Sequence, residues 1–380
     1  LLDHDDELTP NALLENVILL NAHPEADMIY SDEDKLDEKG NRCDPFFKPQ
    51  WSPDLFNSMM FTCHLGVYRK AIVDEIGGFR PEFDGAQDYD LVLRLTEKTS
   101  NIFHIPKILY HWRISSGSTA AGLGEKNYAR EAQIKAVAER FKRLNIEAKV
   151  TGGLADNLVR VKRQLSSSPK VSIIIPTCDK VNLLQTCLES IKRKTDYKNY
   201  EIIVVNNNSR EKETFGYFSE IRKEKNVSVL DYPHPFNFSA VNNFAAAKAD
   251  GKLLLFLNND TEVIESEWLE AMVEHAVRPE VGAVGARLLF PDDTIQHAGV
   301  ILGIGGVAGH SHKFLQQNSP GYFSRASAIQ NLSAVTAACL MVRKELFESL
   351  GGFDEENLAV AFNDVDFCLR IRQKGFLIVY

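Results

Sequence analysis

The feature that most constrains this chain is an internal repeat of one acidic pattern, because a repeat fixes the domain plan before any single element is assigned. The first copy opens on Leu1-Leu2-Asp3-His4-Asp5-Asp6-Glu7-Leu8 and later reads Gly85-Ala86-Gln87-Asp88-Tyr89-Asp90-Leu91-Val92-Leu93-Arg94. The second reads Leu255-Phe256-Leu257-Asn258-Asn259-Asp260-Thr261-Glu262, then Phe362-Asn363-Asp364-Val365-Asp366-Phe367-Cys368-Leu369-Arg370. Between the acidic sites, Arg69-Lys70 followed by Gly77-Gly78-Phe79 recurs at the same internal spacing as Arg343-Lys344 followed by Gly351-Gly352-Phe353. Two related units are expected, in line with a prior of about 150 residues per domain. Leu1-Leu2 reads as the inside of a buried strand, so the chain is expected to be an excised segment with both units truncated.

Hydrophobic residues make up 44% of the chain and charged residues 25%, enough for sizeable cores and not a disordered profile. A net charge of -9 argues against bulk nucleic acid as a partner, since such binding rests on phosphate neutralisation by Lys and Arg. Two basic clusters, 140–143 and 160–163, read as solvated helix faces in preference to polyanion or membrane contacts. Six scattered cysteines with no C-x-x-C pair suit a reducing cytoplasm. The longest apolar stretch, Ala298 to Gly309, falls short of the roughly 20 residues of a membrane helix. A cytoplasmic protein is expected, with peripheral contact at the inner membrane face left open.

Thr9-Pro10-Asn11 before Ala12 to Leu20 predicts a capped helix. Met28 to Asp32 reads as a short strand, and Asp32-Glu33-Asp34 with Asp37 to Gly40 as a polar, solvated loop. A cation site there is the lesser alternative, as the triplet lacks the Gly and terminal Glu of a calcium loop. Glu125 to Leu144 reads as a helix closing the first unit, and Leu165 to Pro169 as the linker. Beyond it the pattern alternates: strands at Val171–Pro176, Glu201–Val205, Val227–Leu230 and Lys252–Leu257, with helices at Asn182–Lys194 and Ser239–Ala249. Continuous apolar strands separated by helices imply a mostly parallel sheet covered on both faces, which binds ligands beyond its strand ends.

Pro176-Thr177-Cys178-Asp179, Asn206 to Ser209, and Asn258-Asn259-Asp260 all follow strands and are expected to converge on one crevice. Three uncrowded polar strand ends suit a nucleotide, with Thr177 and Asp179 able to bond a base or ribose; ordinary turn chemistry is the competing reading. Asp260 is an isolated carboxylate that could hold Mg²⁺ or Mn²⁺ with a diphosphate and water completing the shell, or merely cap a helix. Asp3 and Asp5 stand at the same place in the first copy, where Asn258 replaces the first carboxylate in the second. Asp364 and Asp366, at i and i+2, leave different sides of a helix, so one can face a crevice as general base while the other caps the helix or pairs with Arg370. His310-Ser311-His312 has no third ligand at a recognisable spacing and reads as a polar acceptor-side loop in preference to a metal site.

The stretch from Val171 to Tyr380 resembles the family 2 inverting glycosyltransferases of the GT-A fold, especially those of bacterial O-antigen and capsule assembly. The motifs are VSIIIPT, EIIVVNNNS, FNFSAVNNFAAAKADG, LLLFLNNDTEV, and GGF followed by NDVDFCLR. Leu1 to about Ala120 is similar to the latter half of another such domain through LLDHDDEL, GGFRPEFDGAQDYDLVLRL and Tyr110-His111-Trp112-Arg113. The resemblance implies two tandem Rossmann-like α/β units: 1–120 bearing metal, acceptor and base parts, 121–168 a helical segment and linker, and 169–380 bearing nucleotide and catalytic parts. It further implies a UDP- or dTDP-sugar donor contacted by Thr177, Asp179 and Asn206, with Asn258 beside them. Asp260 and its counterpart Asp5 would hold the metal, and Asp364 and Asp88 would be catalytic bases. His111-Trp112-Arg113 would lie by the diphosphate and acceptor, a growing glycan or lipid-linked glycan. Asn206 stands where the family commonly has Asp, and Asn363 where Glu often precedes the base. A non-catalytic sugar-nucleotide or glycan-binding module is the rival from another class; Asp260 and Asp364 together argue against it for the second copy, and the first copy leaves it open. A nucleotidyltransferase would show a Gly-rich basic loop where this chain has Pro176-Thr177-Cys178-Asp179-Lys180.

Overall fold

The computed structural model describes residues 1–114 and 127–380. Glu125, the expected helix start, and the expected 120/121 boundary lie outside the described residues. The chain forms two compact units: unit 1 comprises Leu1–Arg163 with Pro320–Gln330, and unit 2 comprises Gln164–Ser319 with Asn331–Tyr380.

Unit 1 contains β1 (Glu7–Leu8), α1 (Ala12–Ala22), β2 (Met28–Leu36), β3 (Arg42–Phe46), α2 (Pro53–Ser58) and β4 (Gly66–Tyr68). It continues through α3 (Lys70–Glu75), α4 (Gln87–Leu95), β5 (Ile102–Arg113), α5 (Asn127–Arg143) and the hairpin of β6 (Ala148–Gly152) and β7 (Val159–Arg163). The sheet runs β1-β5-β2-β3, with β4 also on β2; only β2 and β5 are parallel. Its core joins Tyr30, Phe56, Phe61, Phe83 and Tyr89 to Val137 and Phe141 of α5 and Val159 and Val161 of β7.

Several local expectations need correction here. Asp32-Glu33-Asp34 is the middle of β2, and all three acids are buried. Each has found a distant cation or imidazole, which makes burial affordable where solvation was expected. Residues 160–163 are a strand, not a helix face. In α5, Arg140 turns inward to the Leu93 carbonyl at 2.6 Å and Arg143 grips Glu97 through two bonds of 2.7 and 2.9 Å. Helix α1 forms as its spacing predicts, but Leu13, Leu14, Val17 and Ile18 are exposed and only Ala12 and Asn16 are buried. Leu1 and Leu2 lie outside the strands, about half exposed.

Unit 2 contains β8 (Val171–Thr177), α6 (Val181–Lys194), β9 (Tyr200–Asn206), α7 (Lys212–Ile221), β10 (Val227–Asp231) and α8 (Phe238–Ala246). Next come β11 (Leu253–Leu257), α9 (Trp268–Ala276) and β12 (Val281–Gly285). Two short antiparallel pairs follow, β13 (Leu288–Leu289) with β14 (Ile295–His297) and β15 (Val300–Leu302) with β16 (Ala308–His310). The unit ends on β17 (Cys339–Arg343), α10 (Lys344–Ser349), α11 (Asn363–Gln373) and β18 (Leu377–Val379). The seven-stranded sheet runs β10-β9-β8-β11-β17-β12-β18, and only β17 is antiparallel to its neighbours. The fold is mixed α/β with a mostly parallel sheet, as the alternating pattern indicates; β12, β17 and β18 are the strands of this sheet that the pattern does not reveal. Every residue of β11 is buried, the reason it reads as an unbroken apolar run.

The repeated motifs sit in matching local settings in the two units. In unit 1, β2 lies between antiparallel β4 and parallel β5; in unit 2, β12 lies between antiparallel β17 and parallel β18. Arg69 donates to the Pro24 and Ala26 carbonyls, and Arg343 donates to those of Ala276, Arg278 and Val281, so each closes the turn between a helix and a strand. Gly77 and Gly78 have φ of +82° and +66°, and Gly351 and Gly352 have +76° and +72°, a left-handed helix stop that glycine adopts without steric cost. Among the described residues no helix is long and apolar enough to cross a membrane.

Candidate functional site

Three parallel strands deliver their carboxyl ends to one edge of the unit 2 sheet. Thr177 ends β8 opposite Asn206 at the end of β9, and Asn258 follows β11. There a cavity of 480 Å³ is lined by Thr177, Lys180, Asn207, Asn258, Asn259, Asp260, Thr336 to Ala338 and Asp364, with Phe236, Phe238 and Phe362 as its aromatic wall. The Asn259 amide bonds the Thr177 hydroxyl at 2.9 Å, linking two of the strand ends. Thus Thr177, Asn258, Asp260 and Asp364 are brought together. Asp260 is exposed, with no hydrogen-bonding partner among the described residues.

Asp179 and Asn206 stand behind this cavity and hold its turn. Asp179 Oδ1 accepts from the Arg210 and Glu211 amides at 2.8 and 2.9 Å, and the Glu211 amide above all holds its carboxyl below the usual range. Asn206 accepts from the Ser209 amide at 3.0 Å and donates to Asp231 at 2.8 Å. Local turn bonding, the competing reading for these two, describes the bonds they make.

Asp364 sits in the first turn of α11, half-buried. One carboxylate oxygen accepts from the Val365 amide at 2.8 Å and the other from the Ala337 amide at 3.0 Å, which fixes the group while leaving lone pairs toward the cavity. Asp366 turns away to Arg370 at 2.8 Å, and that guanidinium donates at 2.8 Å to the Leu350 and Gly352 carbonyls of the glycine turn. The division of labour expected from i, i+2 spacing therefore holds: one acid faces the crevice and the other locks the helix to its turn.

His310 and His312 part company. His310 meets His297 with Nδ1 atoms 2.7 Å apart, while His312 Nδ1 lies 3.0 Å from the Ser311 hydroxyl. Burial, with His310 beside it, pushes the His297 pKa down to about 3. No group of three or more His, Cys, Asp or Glu that could hold a metal by themselves occurs among the described residues.

In unit 1, Asp88 occupies the first turn of α4 as Asp364 does in α11, and burial raises its pKa. Asp90 pairs with Arg80 and Arg94, and Arg94 donates at 2.6 Å to the Ile76 and Gly78 carbonyls. His111, Trp112 and Arg113 end β5. His111 Nδ1 bonds buried Asp34, Trp112 lies 5.3 Å from the His64 ring, and the Arg113 amide donates to Asp6 at 2.8 Å. Arg113 also donates to the Asp5 carbonyl at 2.8 Å, while Asp3 and Asp5 keep exposed side chains. The residues beyond sequence reasoning are Glu33, Lys48 and His64: His64 Nδ1 is 3.1 Å and Lys48 Nζ 3.7 Å from Glu33. Nothing in their spacing marks them, since Glu33 in β2, Lys48 two residues after β3 and His64 ahead of β4 meet only in the fold.

With this geometry in view, residues 172–351 match the model of Glycosyl transferase family 2. The chain is 47% identical over 380 residues to the protein y4gI of Sinorhizobium fredii and 44% identical over 378 residues to the O-antigen biosynthesis protein RfbC of Myxococcus xanthus. Each match covers 99% of this chain, which spans 42% of the first relative and 29% of the second. Among solved structures it is similar to the mannosyltransferase PcManGT of Pyrobaculum calidifontis, solved with GDP-Man and Mn²⁺, at 18% identity and a TM-score of 0.42 over 66% of this chain and 62% of that one. The similarity to Glycosyl transferase family 2 thus lies over residues 172–351, which hold the strand ends and the cavity just described.

Proposed function

We propose that unit 2 transfers a sugar from a UDP- or dTDP-linked donor to a hydroxyl of a growing cell-surface glycan, free or lipid-linked, in a GT-A-type site with inversion. The observation that carries this reading is the meeting of Thr177, Asn258, Asp260 and Asp364 around one cavity. In the reaction, Asp364 takes the proton of the acceptor hydroxyl as that oxygen bonds to the anomeric carbon. The bond from that carbon to the diphosphate oxygen breaks on the opposite face, so configuration inverts in a single displacement. Asn258 and Thr177 would face the nucleotide, with Asp179 and Asn206 shaping the turn that receives it. An unpaired Asp260 beside an amide suits a hard divalent cation whose other ligands are phosphate oxygens and water. Mg²⁺ or Mn²⁺ held there would neutralise charge on the departing diphosphate.

By the repeated motifs, unit 1 is read as the metal-, acceptor- and base-bearing part of a tandem domain, with Asp3 and Asp5 for metal, Asp88 as base and His111-Trp112-Arg113 by the diphosphate. Relatives such as RfbC, named for O-antigen biosynthesis, support the glycan assignment. The test is hydrolysis and transfer across UDP- and dTDP-sugars with Mg²⁺ or Mn²⁺. Asp364→Asn is expected to lose about 10²–10⁴ of turnover while binding donor almost normally. A protein that binds a sugar nucleotide but never turns one over would instead be a binding module, and one that binds none would overturn the proposal.

A further inference from the structure

His297 and His310 form a pair that the proposed reaction does not use. His297, at the end of β14, is fully buried; its Nδ1 meets His310 and its Nε2 has no partner. The two rings are nearly perpendicular, at 84° and 5.0 Å, and the Tyr380 ring stands across His297 at 82° and 6.2 Å. His310 ends β16 and is half-buried; its Nε2 has neither a partner nor a place among the unsatisfied buried atoms, so it reaches solvent.

Only one proton can lie between two Nδ1 atoms. If it belonged to His310, neutral His297 would carry its own proton on Nε2, an N–H stranded in the core. If it belongs to His297, the core holds only an unused lone pair, and His310 carries its proton on Nε2. Buried N–H groups without acceptors are rarer in folded proteins than under-used acceptors, so the second arrangement is favoured. A third proton on the pair would recreate the stranded N–H, which keeps His310 neutral. A neutral imidazole offers a hydrogen bond without forming an ion pair that would quench a neighbouring carboxylate base.

The carboxylate in question is Asp364, which is anchored to the same segment as the strand pair bearing His310. One short segment suspends both: the Val300 amide donates to the Ala334 carbonyl at 3.0 Å, with Val300 paired to His310, and three residues later the Ala337 amide donates to Asp364. We propose that His310, fixed by His297 with its proton on Nε2, is an acceptor-binding residue that donates to an oxygen next to the hydroxyl deprotonated by Asp364. The ligand class is a polyol acceptor with neighbouring oxygens, and the inference rests on the transfer reaction proposed above.

Two measurements test it. Nitrogen-15 NMR of the imidazoles should show His310 with a protonated Nε2 and an acceptor Nδ1; a protonated Nδ1 on His310 overturns the proposal whatever the activity. In kinetics, methyl glycosides of hexoses and 6-deoxyhexoses serve as soluble acceptors, and water serves as the acceptor lacking a neighbouring oxygen. His310→Phe should raise the acceptor KM about five- to tenfold, the loss of one hydrogen bond, with donor KM and donor hydrolysis unchanged. His310→Gln, whose amide nitrogen can replace Nε2, should recover most of the loss, and His310→Asn should not. Unchanged transfer in His310→Phe, or an equal fall in hydrolysis and transfer, overturns the role. Absence of any donor turnover in the wild type would instead overturn the transfer reading itself.

Discussion

The two acidic helix turns share a frame and differ in how they hold charge. In unit 1, Asp90 is wholly buried between Arg80 and Arg94, whereas in unit 2 Asp366 keeps about a third of its side chain exposed and pairs with Arg370. The first-turn acids Asp88 and Asp364 each accept the amide of the next residue, but burial outweighs that bond and raises the Asp88 pKa, while Asp364 gains a second amide from Ala337. The repeated parts are those that set backbone geometry, namely the two arginines and the glycine pair. Electrostatics around the outer acid is free to vary because it depends on neighbours outside the frame.

The largest effect that can break this comparison is catalytic. Asp364→Asn should cost about 10²–10⁴ in turnover, whereas Asp88→Asn should leave transfer by unit 2 within about twofold, measured with the same donor and metal. An equal loss in both variants would mean that the sites do not act separately. Next comes the helix lock. Arg94→Ala leaves buried Asp90 on Arg80 alone and frees the Ile76 and Gly78 carbonyls, and should destabilise unit 1 by about 2–3 kcal/mol. Arg370→Ala opens a partly exposed pair and should cost about 1–2 kcal/mol in urea unfolding; equal losses would refute the difference in burial.

A smaller effect is expected where the frames agree. Gly77→Ala and Gly351→Ala should each cost about 1 kcal/mol, because a Cβ at either site meets no atom within 4 Å and only the left-handed backbone resists it. The subtlest test concerns pH. A buried carboxylate with a raised pKa disfavours the folded state once ionised, so Asp88→Asn should raise Tm by about 2 °C at pH 7 and give no gain at pH 4. Asp90 behaves oppositely: burial pushes its pKa up, but Arg80 and Arg94 outweigh burial and hold it low. Its stabilisation is present above the unfolded carboxylate pKa near 4 and fades as pH falls through the folded value, so Asp90→Asn should do most damage near neutral pH. Differential scanning calorimetry from pH 7 to 3 would register both signs.

The parts of the fold that could be read ahead were those whose signal is local. Buried parallel strands announce themselves as apolar runs, and Thr177, Asn258 and Asp260 follow such runs directly. Helix geometry alone sends Asp364 and Asp366 to different sides, but which of them faces the cavity depends on the Ala337 amide and Arg370, which only the fold brings in. What escaped was assembled over distance. Asp32, Glu33 and Asp34 look solvated until His104, His64 and His111 arrive from elsewhere in the chain. Thr336 to Ala338 line the cavity only because β17 inserts into the sheet. The His297–His310 contact depends on two short strand pairs with no strong pattern of their own.

The late entry of β17 also makes the order of synthesis matter. It lies between β11 and β12, yet Cys339–Arg343 follows both in the chain. Until it emerges, Leu253–Leu257 and Val281–Gly285 present unpaired, fully apolar edges, the kind of surface through which nascent chains associate. A polypeptide stopped before Cys339 should therefore aggregate, and a chaperone guarding this unit would have to remain on it until the sheet is closed from the middle.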